Sequence, residues 1–368
     1  MFHLGELFCG PGGLAWGALQ ANVSDRPDLK IKHAWANDFD EDTCITYRRN
    51  ISPKDPESVI CEDVHNLDLL GDFRILQRPF DAFAFGFPCN DFSQVGERKG
   101  LSGEYGPLYT YGLRALHSYQ PLWFLAENVS GLTTANDGYA FRKILHDMES
   151  TGYRVYPHLY EFEKYGIPQA RHRIIIVGIR EDQKDATGKP LQFFPPVPTT
   201  PREQDYKTCK EALEKPPIRP DAYNNEPAKI TERVRKRMML IGEGENAFNA
   251  PALQKHPELQ LHVKGATISQ IYRRLDSKRP SYTVTGSGGG GTHIYHWSEP
   301  RELTNRERAR LQTFPDSFEF FGPKEKIRRQ IGMAVPCEGA RQIFEAVLKT
   351  FGYIDYPHLE RCNISVNG

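Results

Sequence analysis

Cys89 stands in Gly86-Phe87-Pro88-Cys89-Asn90, directly after the apolar run Asp81 to Phe87, with polar Asn90, Asp91 and Ser93 following. A free cysteine is usually buried and inert, but one on a loop at the carboxyl edge of a sheet is placed to act as a nucleophile. Glu127 follows a second apolar run, Leu122 to Ala126, where desolvation can raise a carboxyl group's pKa and suit it to donate a proton. Gln169-Ala170-Arg171-His172-Arg173 precedes a third run, Ile174 to Ile179. In an extended chain, Arg171 and Arg173 would point to the same side and offer two cations from a buried strand.

A second set of residues suits a nucleotide-like ligand. Leu7-Phe8-Cys9-Gly10-Pro11-Gly12-Gly13 follows a strand-like segment and opens a helix-like one, where glycines let the backbone turn tightly and approach a ligand. The pattern departs from GxGxxG because position 15 is Ala15, so alone it also reads as a plain strand-to-helix turn. Asn37-Asp38-Phe39-Asp40 offers a carboxylate for ribose hydroxyls and a ring for stacking, and Cys61-Glu62-Asp63-Val64 a carboxylate for an adenine amino group. Three such signals at successive strand ends indicate a cofactor that carries adenosine, without saying which one.

These residues need a sheet to hold them. Strand-like segments at His3 to Phe8, His33 to Asn37, Asp81 to Phe87, Leu122 to Ala126, Val155 to Tyr160 and Ile174 to Ile179 alternate with helical stretches, the expected pattern of an α/β, doubly wound, mostly parallel sheet. Phe141, Leu145 and Met148 share one helical face, and Ile343, Phe344, Val347, Leu348 and Phe351 recur at helical spacing near the end. After Glu181 the composition changes: KDATGKP and a proline-rich FFPPVPTTP read as a linker and a domain boundary. Beyond it periodicity is weak, with cations at Arg233, Arg235, Lys236 and Arg237 and at Arg273, Arg274, Lys278 and Arg279, followed by the glycine-rich stretch 286–291. Such clusters suit phosphate contact, although Arg233 to Arg237 alone reads equally well as a solvated helix.

The chain has 368 residues, 47 basic and 47 acidic, with 39% hydrophobic, 11% aromatic and 26% charged residues. This composition describes a globular protein and excludes a nonspecific basic coat, but not a basic face balanced by acid elsewhere. Seven cysteines (Cys9, Cys44, Cys61, Cys89, Cys209, Cys337, Cys362) without CxxC spacing suggest neither a disulfide framework nor a metal site. No apolar run reaches the roughly 18 residues of a membrane helix, and the expected location is the cytoplasm.

Taken in order, FCGPGG, NDFD, EDV, GFPCN, ENV, QARHR, RERARLQTFPDSF and QIGMAVP make the chain resemble the DNA cytosine-5 methyltransferases, nearly from end to end. The resemblance implies a Rossmann-like S-adenosylmethionine-dependent catalytic domain over 1–195, a smaller target recognition domain over 196–324, and a C-terminal segment, 325–368, returning to the first. It implies that Phe8, Gly10, Gly12, Gly13, Leu14, Asp38, Phe39, Asp63, Val64, Pro88, Leu108, Ala334 and Val335 hold S-adenosylmethionine. Cys89 would be the nucleophile, with Glu127 at N3 and the amino group of cytosine, Arg173 at the O2 side and Arg171 nearby. Asn90, Ser93, Arg233, Arg237, Arg273, Arg279 and Thr283 would meet DNA, and loop 90–104 would close over it. The implied partner is double-stranded DNA. The chain is expected to be a monomer, and to work alongside a restriction endonuclease of the same site that need not bind it.

Two departures mark this chain: Asn90 stands where the family usually has glutamine, and Met333 where it usually has asparagine. Three other readings follow from the same residues. An enzyme of the same chemistry acting on tRNA would have a smaller recognition region. A DNA-binding regulator would keep the fold without turnover. A nicotinamide-dependent dehydrogenase would leave Cys89, Glu127 and Arg173 without a joint role.

Overall fold

The apolar run that begins at Asp81 forms a central strand whose Ala82, Phe83, Ala84 and Phe85 are wholly buried, as expected of a strand covered on both faces. The structure, a computed structural model, describes residues 1–69, 75, 77–87, 108–261, 268–286 and 291–364. The chain divides into two compact units, 1–161 with 172–198 and 337–368, and 162–171 with 199–336.

In the first unit, strands β1 (Phe2–Leu7), β2 (Ile31–Asp38), β3 (Val59–Cys61), β4 (Ala82–Gly86), β5 (Trp123–Val129) and β6 (Tyr153–Glu161) join β8 (His172–Arg180) in one sheet. A further short strand, β7 (Gln169–Ala170), belongs to the second unit. The order across the sheet is β3-β2-β1-β4-β5-β8-β6. Pairs from β3 to β5 are parallel, whereas β8 runs antiparallel to both β5 and β6, so β8 is reversed against the rest of this sheet and lies between β5 and the edge strand β6. Strand β3 has only three residues, which is too short for a periodicity signal.

The helices of this unit follow from their sequences. Helix α1 (Gly13–Gln20) buries Leu14, Ala15 and Ala18. Helix α2 (Glu41–Asn50) is capped by Asp40, whose carboxylate accepts the Thr43 backbone N–H at 3.1 Å. Acids in its first turn and Arg48 and Arg49 in its last complement the helix dipole. Helix α3 spans Tyr109–Tyr119, and α4 (Tyr139–Glu149) buries Ala140, Phe141, Ile144, Leu145 and Met148 on one face. The final helix, Cys337–Phe351, packs on the sheet through Phe344 against Trp123 and Phe351 against Phe2, with ring centroids 5.9 and 5.2 Å apart.

The proline-rich segment is not a loose linker. Val197 N–H donates to Pro357 O, Leu359 N–H to Pro195 O and the Tyr356 hydroxyl to Phe194 O, stitching it to the C-terminal segment until Pro198. Prolines have no N–H to offer, so the pairing runs through their carbonyls and the neighbouring donors.

The second unit contains β7 and β9 (Ser281–Tyr282), paired in parallel, and short helices α5 (Cys209–Glu214), α6 (Glu232–Met239), α7 (Pro251–Gln254), α8 (Asn305–Leu311) and α9 (Lys324–Met333). Met238, Ile241, Ala247, Leu253, Ile271 and Tyr295 form one of its apolar clusters. Arginines bonded to backbone carbonyls hold much of the irregular chain. Arg274 donates to His296, Met238, Ile241 and Glu299, and Arg306 to Tyr223, Pro315 and Phe318. The unit closes at Pro336, and the chain rejoins the first unit at Cys337, later than the position 325 read from sequence.

Candidate active site

Strand ends position the residues singled out in the first unit. Glu127 on β5 pairs in register with Gly86 on β4, and Val129 with Arg173 on β8. Arg173 Nε lies 3.0 Å from Glu127 Oε1, with side chains only 15% and 13% exposed, so the two form a nearly buried ion pair. A Cβ at Gly86 would stand 3.3 Å from Glu127 Oε2, so the missing side chain leaves room for that carboxylate. Buried Asn128 donates from Nδ2 to Phe87 O at 3.2 Å, fixing the backbone two residues before Cys89. Sequence reading passed over Asn128; its signal was a polar side chain at the end of an apolar strand.

Pro88, Cys89, Asn90, Ser93 and the loop 90–104 lie outside the described residues. Among the described cysteines, burial pushes the thiols of Cys9, Cys44, Cys209, Cys337 and Cys362 up, which keeps them protonated and poorly nucleophilic.

The loop between β1 and α1 is a left-handed turn. Phe8, Gly10 and Gly12 have φ of 55°, 56° and 99°. At Gly12 a Cβ would also meet Ile51 Cγ1 at 2.8 Å and Tyr47 Cδ2 at 3.2 Å, so both conformation and space require glycine. At Gly10 nothing stands within 4 Å of a Cβ position, leaving its backbone open to close approach by a ligand. Asp38 latches the loop: its carboxylate accepts from Gly10 N–H at 3.0 Å and from Asp40 N–H at 3.1 Å. Burial raises the Asp38 carboxyl above the usual carboxylate range, while the backbone donors pull it down.

Phe39, beside it, is 74% exposed, a free ring face at the sheet edge. Asp63 caps a short turn and accepts from His65 N–H at 2.9 Å, which with the His65 ring holds its carboxyl below the usual range. Val64, Leu14 and Leu108 are buried. An open glycine backbone, an exposed ring and two carboxylates on neighbouring strand ends fit the methionine, adenine and ribose parts of S-adenosylmethionine.

Sequence reading missed Glu6, an acid 1% exposed among the buried residues of β1. Burial pushes its carboxyl up to about 7, partly offset by the Tyr47 hydroxyl, which donates to Glu6 Oε2 at 2.5 Å.

Several of the cations named from sequence have partners within the protein. Arg171 belongs to the second unit, is fully buried, and donates to Val284 O at 3.0 Å and Gly332 O at 2.9 Å, so it ties backbone together. Arg237 is 4% exposed, donates to Leu259 O at 2.7 Å and lies over the Tyr272 ring. Arg273 stacks over Tyr282, and Thr283 Oγ1 donates to Ala170 O at 2.7 Å. Arg233 and Arg279 are exposed; Arg233 donates to Glu258 O and Arg279 faces Glu203 and Asp276 at 3.5 and 3.9 Å. Ala334 and Val335 follow α9 in the second unit, both buried.

The sequence profile described as C-5 cytosine-specific DNA methylase matches residues 2–349. The chain is 54% identical to the Type II methyltransferase M.BbvI of Brevibacillus brevis over 97% of this chain and 94% of that protein. It is 41% identical to the Type II methyltransferase M.NgoFVII of Neisseria gonorrhoeae, over 94% and 86% of the two chains. In fold it is similar to a DNA modification methyltransferase encoded within an Escherichia coli prophage, with a TM-score of 0.70 at 22% identity, covering 96% of this chain and all of that one. Among the described residues, no helix is long and apolar enough to cross a membrane.

Proposed function

The chain belongs to the C-5 cytosine-specific DNA methylase family, and we propose that Cys89, Glu127 and Arg173 carry the reaction of a restriction-modification methyltransferase on duplex DNA. The enzyme class is DNA cytosine-5 methyltransferase, with S-adenosylmethionine as cofactor. The observation that carries the assignment of residues is the Glu127–Arg173 pair at 3.0 Å, held at the strand ends beside the segment that leads to Cys89.

Because C5 and C6 of cytosine are stacked inside a duplex, the base must leave the stack to be reached. The Cys89 thiolate adds to C6, and the electron pair of the C5–C6 bond becomes available at C5. Glu127 holds N3 and the amino group, where charge changes as the thiolate adds. Arg173 faces the O2 side and orients Glu127 through their ion pair. Phe8 to Gly13, Asp38, Phe39 and Asp63 would hold S-adenosylmethionine, which would supply an electrophilic methyl group, its sulfonium–methyl bond breaking as the C5–methyl bond forms and leaving S-adenosylhomocysteine. Once C5 is methylated, loss of its proton returns an electron pair to C5–C6 and expels Cys89 as thiolate, leaving 5-methylcytosine.

The exposed cations Arg233 and Arg279 are the candidates for phosphate contact, and the enzyme acts as a cytoplasmic monomer paired with an endonuclease of the same site specificity. Cys89→Ser abolishes transfer of labelled methyl groups to duplex DNA, and unchanged transfer would sink the mechanism. Running the assay on duplex DNA and tRNA side by side decides the substrate, and bisulfite sequencing of DNA from expressing cells reads the methylated site.

A further inference from the structure

Beneath the loop at residues 8–13 runs a chain of polar groups, buried at Glu6, Tyr47 and Ser58 and half-buried at His33, that the reaction does not use. Tyr47, on α2, has no solvent exposure; its hydroxyl lies 2.5 Å from Glu6 Oε2 on β1 and 3.2 Å from His33 Nδ1 on β2. His33 Nε2 lies 2.7 Å from Ser58 Oγ, which lies 2.6 Å from Asp55 O. The same Tyr47 ring and Ile51 form the floor against which Gly12 turns. One side chain thus links two strands and a helix to the turn that opens α1.

We propose that Tyr47 is a positioning residue for the cofactor: through the chain Glu6–Tyr47–His33–Ser58 it holds β1, β2 and α2 in the relation that shapes the turn at Gly12. This rests on the reading that the loop binds S-adenosylmethionine. Each hydroxyl and the neutral imidazole has one proton to donate, so the chain has one direction at a time. With Glu6 ionised, Tyr47 donates to Glu6, His33 Nδ1–H donates to Tyr47, and Ser58 turns its proton from Asp55 O to His33 Nε2. With Glu6 protonated, Glu6 donates to Tyr47, Tyr47 to His33 Nδ1, His33 Nε2–H to Ser58, and Ser58 to Asp55 O. Either way Tyr47 joins both sides, which phenylalanine of the same shape cannot do.

The charged and titratable groups around the chain are few. Cys9 feels Glu6 from the loop, while Asp55 and Arg78, an ion pair, face His33. Burial pushes His33 down to about 4, so its ring stays neutral while Glu6 titrates.

The test is calorimetric titration of S-adenosylmethionine into the full-length wild type, Tyr47→Phe and Glu6→Gln, with steady-state methyl transfer alongside. Tyr47→Phe is expected to weaken cofactor binding and raise its KM about tenfold, as for loss of one buried hydrogen bond to a charged or strongly polar group, with kcat at saturating cofactor within about twofold. Glu6→Gln, which still accepts from Tyr47, is expected to bind within about threefold of wild type. Equal binding by wild type and Tyr47→Phe, or a lower kcat with KM unchanged, would overturn the proposal. A wild type that transfers methyl groups yet shows no dependence on S-adenosylmethionine would overturn the cofactor reading as well. A second readout does not need Tyr47→Phe to fold. In histidine-labelled wild type the His33 proton is expected on Nε2 at pH 5.5 and on Nδ1 at pH 8.5, and in Glu6→Gln on one nitrogen throughout. A His33 tautomer indifferent to pH in the wild type would also overturn the chain.

Discussion

Glu6→Gln should make this protein more stable at high pH and leave it nearly unchanged at low pH. Glu6 titrates near 4.5 in the unfolded chain and near 7 in the folded one, because its carboxyl is buried and only the Tyr47 hydroxyl compensates. Below about pH 4.5 the carboxyl is protonated in both states and costs nothing. Between 4.5 and 7 the folded state keeps a proton that the unfolded state has lost, so stability falls as pH rises, and above 7 the full cost remains. From 4.5 to about 7, at about 1.4 kcal/mol per pH unit, that cost is about 3 kcal/mol. Glutamine keeps the shape and an oxygen for Tyr47 but cannot ionise. Urea unfolding of both proteins from pH 5 to 8 is the assay, and taking the difference at each pH removes every titration the two share. The stability gap in favour of Glu6→Gln should widen by on the order of 3 kcal/mol across the range. A gap that stays constant, or narrows as pH rises, would refute the reasoning.

Phe39→Ala removes a ring face that is 74% exposed; cofactor KM should rise about tenfold, from a lost stacking contact worth about 1–1.5 kcal/mol, with kcat at saturation little changed. Arg171→Lys cannot reach both Val284 O and Gly332 O with a planar fork, so denaturation should show a loss of about 2–4 kcal/mol while kcat of the folded fraction stays within a few fold. A stable Arg171→Lys protein with a thousandfold lower kcat would instead return Arg171 to the reacting centre. Arg274→Leu strands four carbonyls and should cost more than about 3 kcal/mol, visible as unfolding of the second unit in hydrogen exchange. Arg279→Ala should leave stability within about 0.5 kcal/mol but lower DNA affinity, and reduce the salt dependence of binding by about one phosphate contact; unchanged salt dependence would place Arg279 away from the DNA.

Much of the first unit was legible because its signals are local. A strand covered on both faces must be apolar along its length, so Ala82 to Gly86 and Trp123 to Ala126 announced themselves, and the residues just beyond them had to emerge at the sheet edge. The face of α4 was equally plain from Phe141, Leu145 and Met148, all buried. What escaped was short or exceptional: the three-residue β3, the reversal of β8 against β5, and Glu6, an acid buried in β1. The proline-rich segment misled because its composition is that of a linker, whereas its carbonyls and donors pair with residues 356–359, more than a hundred positions later.

The family, the mostly parallel character of the sheet, and the positions of Asp38, Asp63, Glu127 and Arg173 beside strand-like segments could be read from residue order alone, since each depends on neighbours within a few residues along the chain. Which cations are spoken for emerges only on folding. Arg171 finds its acceptors 113 and 161 residues away, and Arg237 and Arg274 likewise donate to carbonyls brought to them by the fold. A guanidinium looks the same in sequence whether it meets a phosphate or a carbonyl. The difference is made by backbone acceptors left unpaired in a unit with little regular secondary structure, and their positions exist only once the chain has folded.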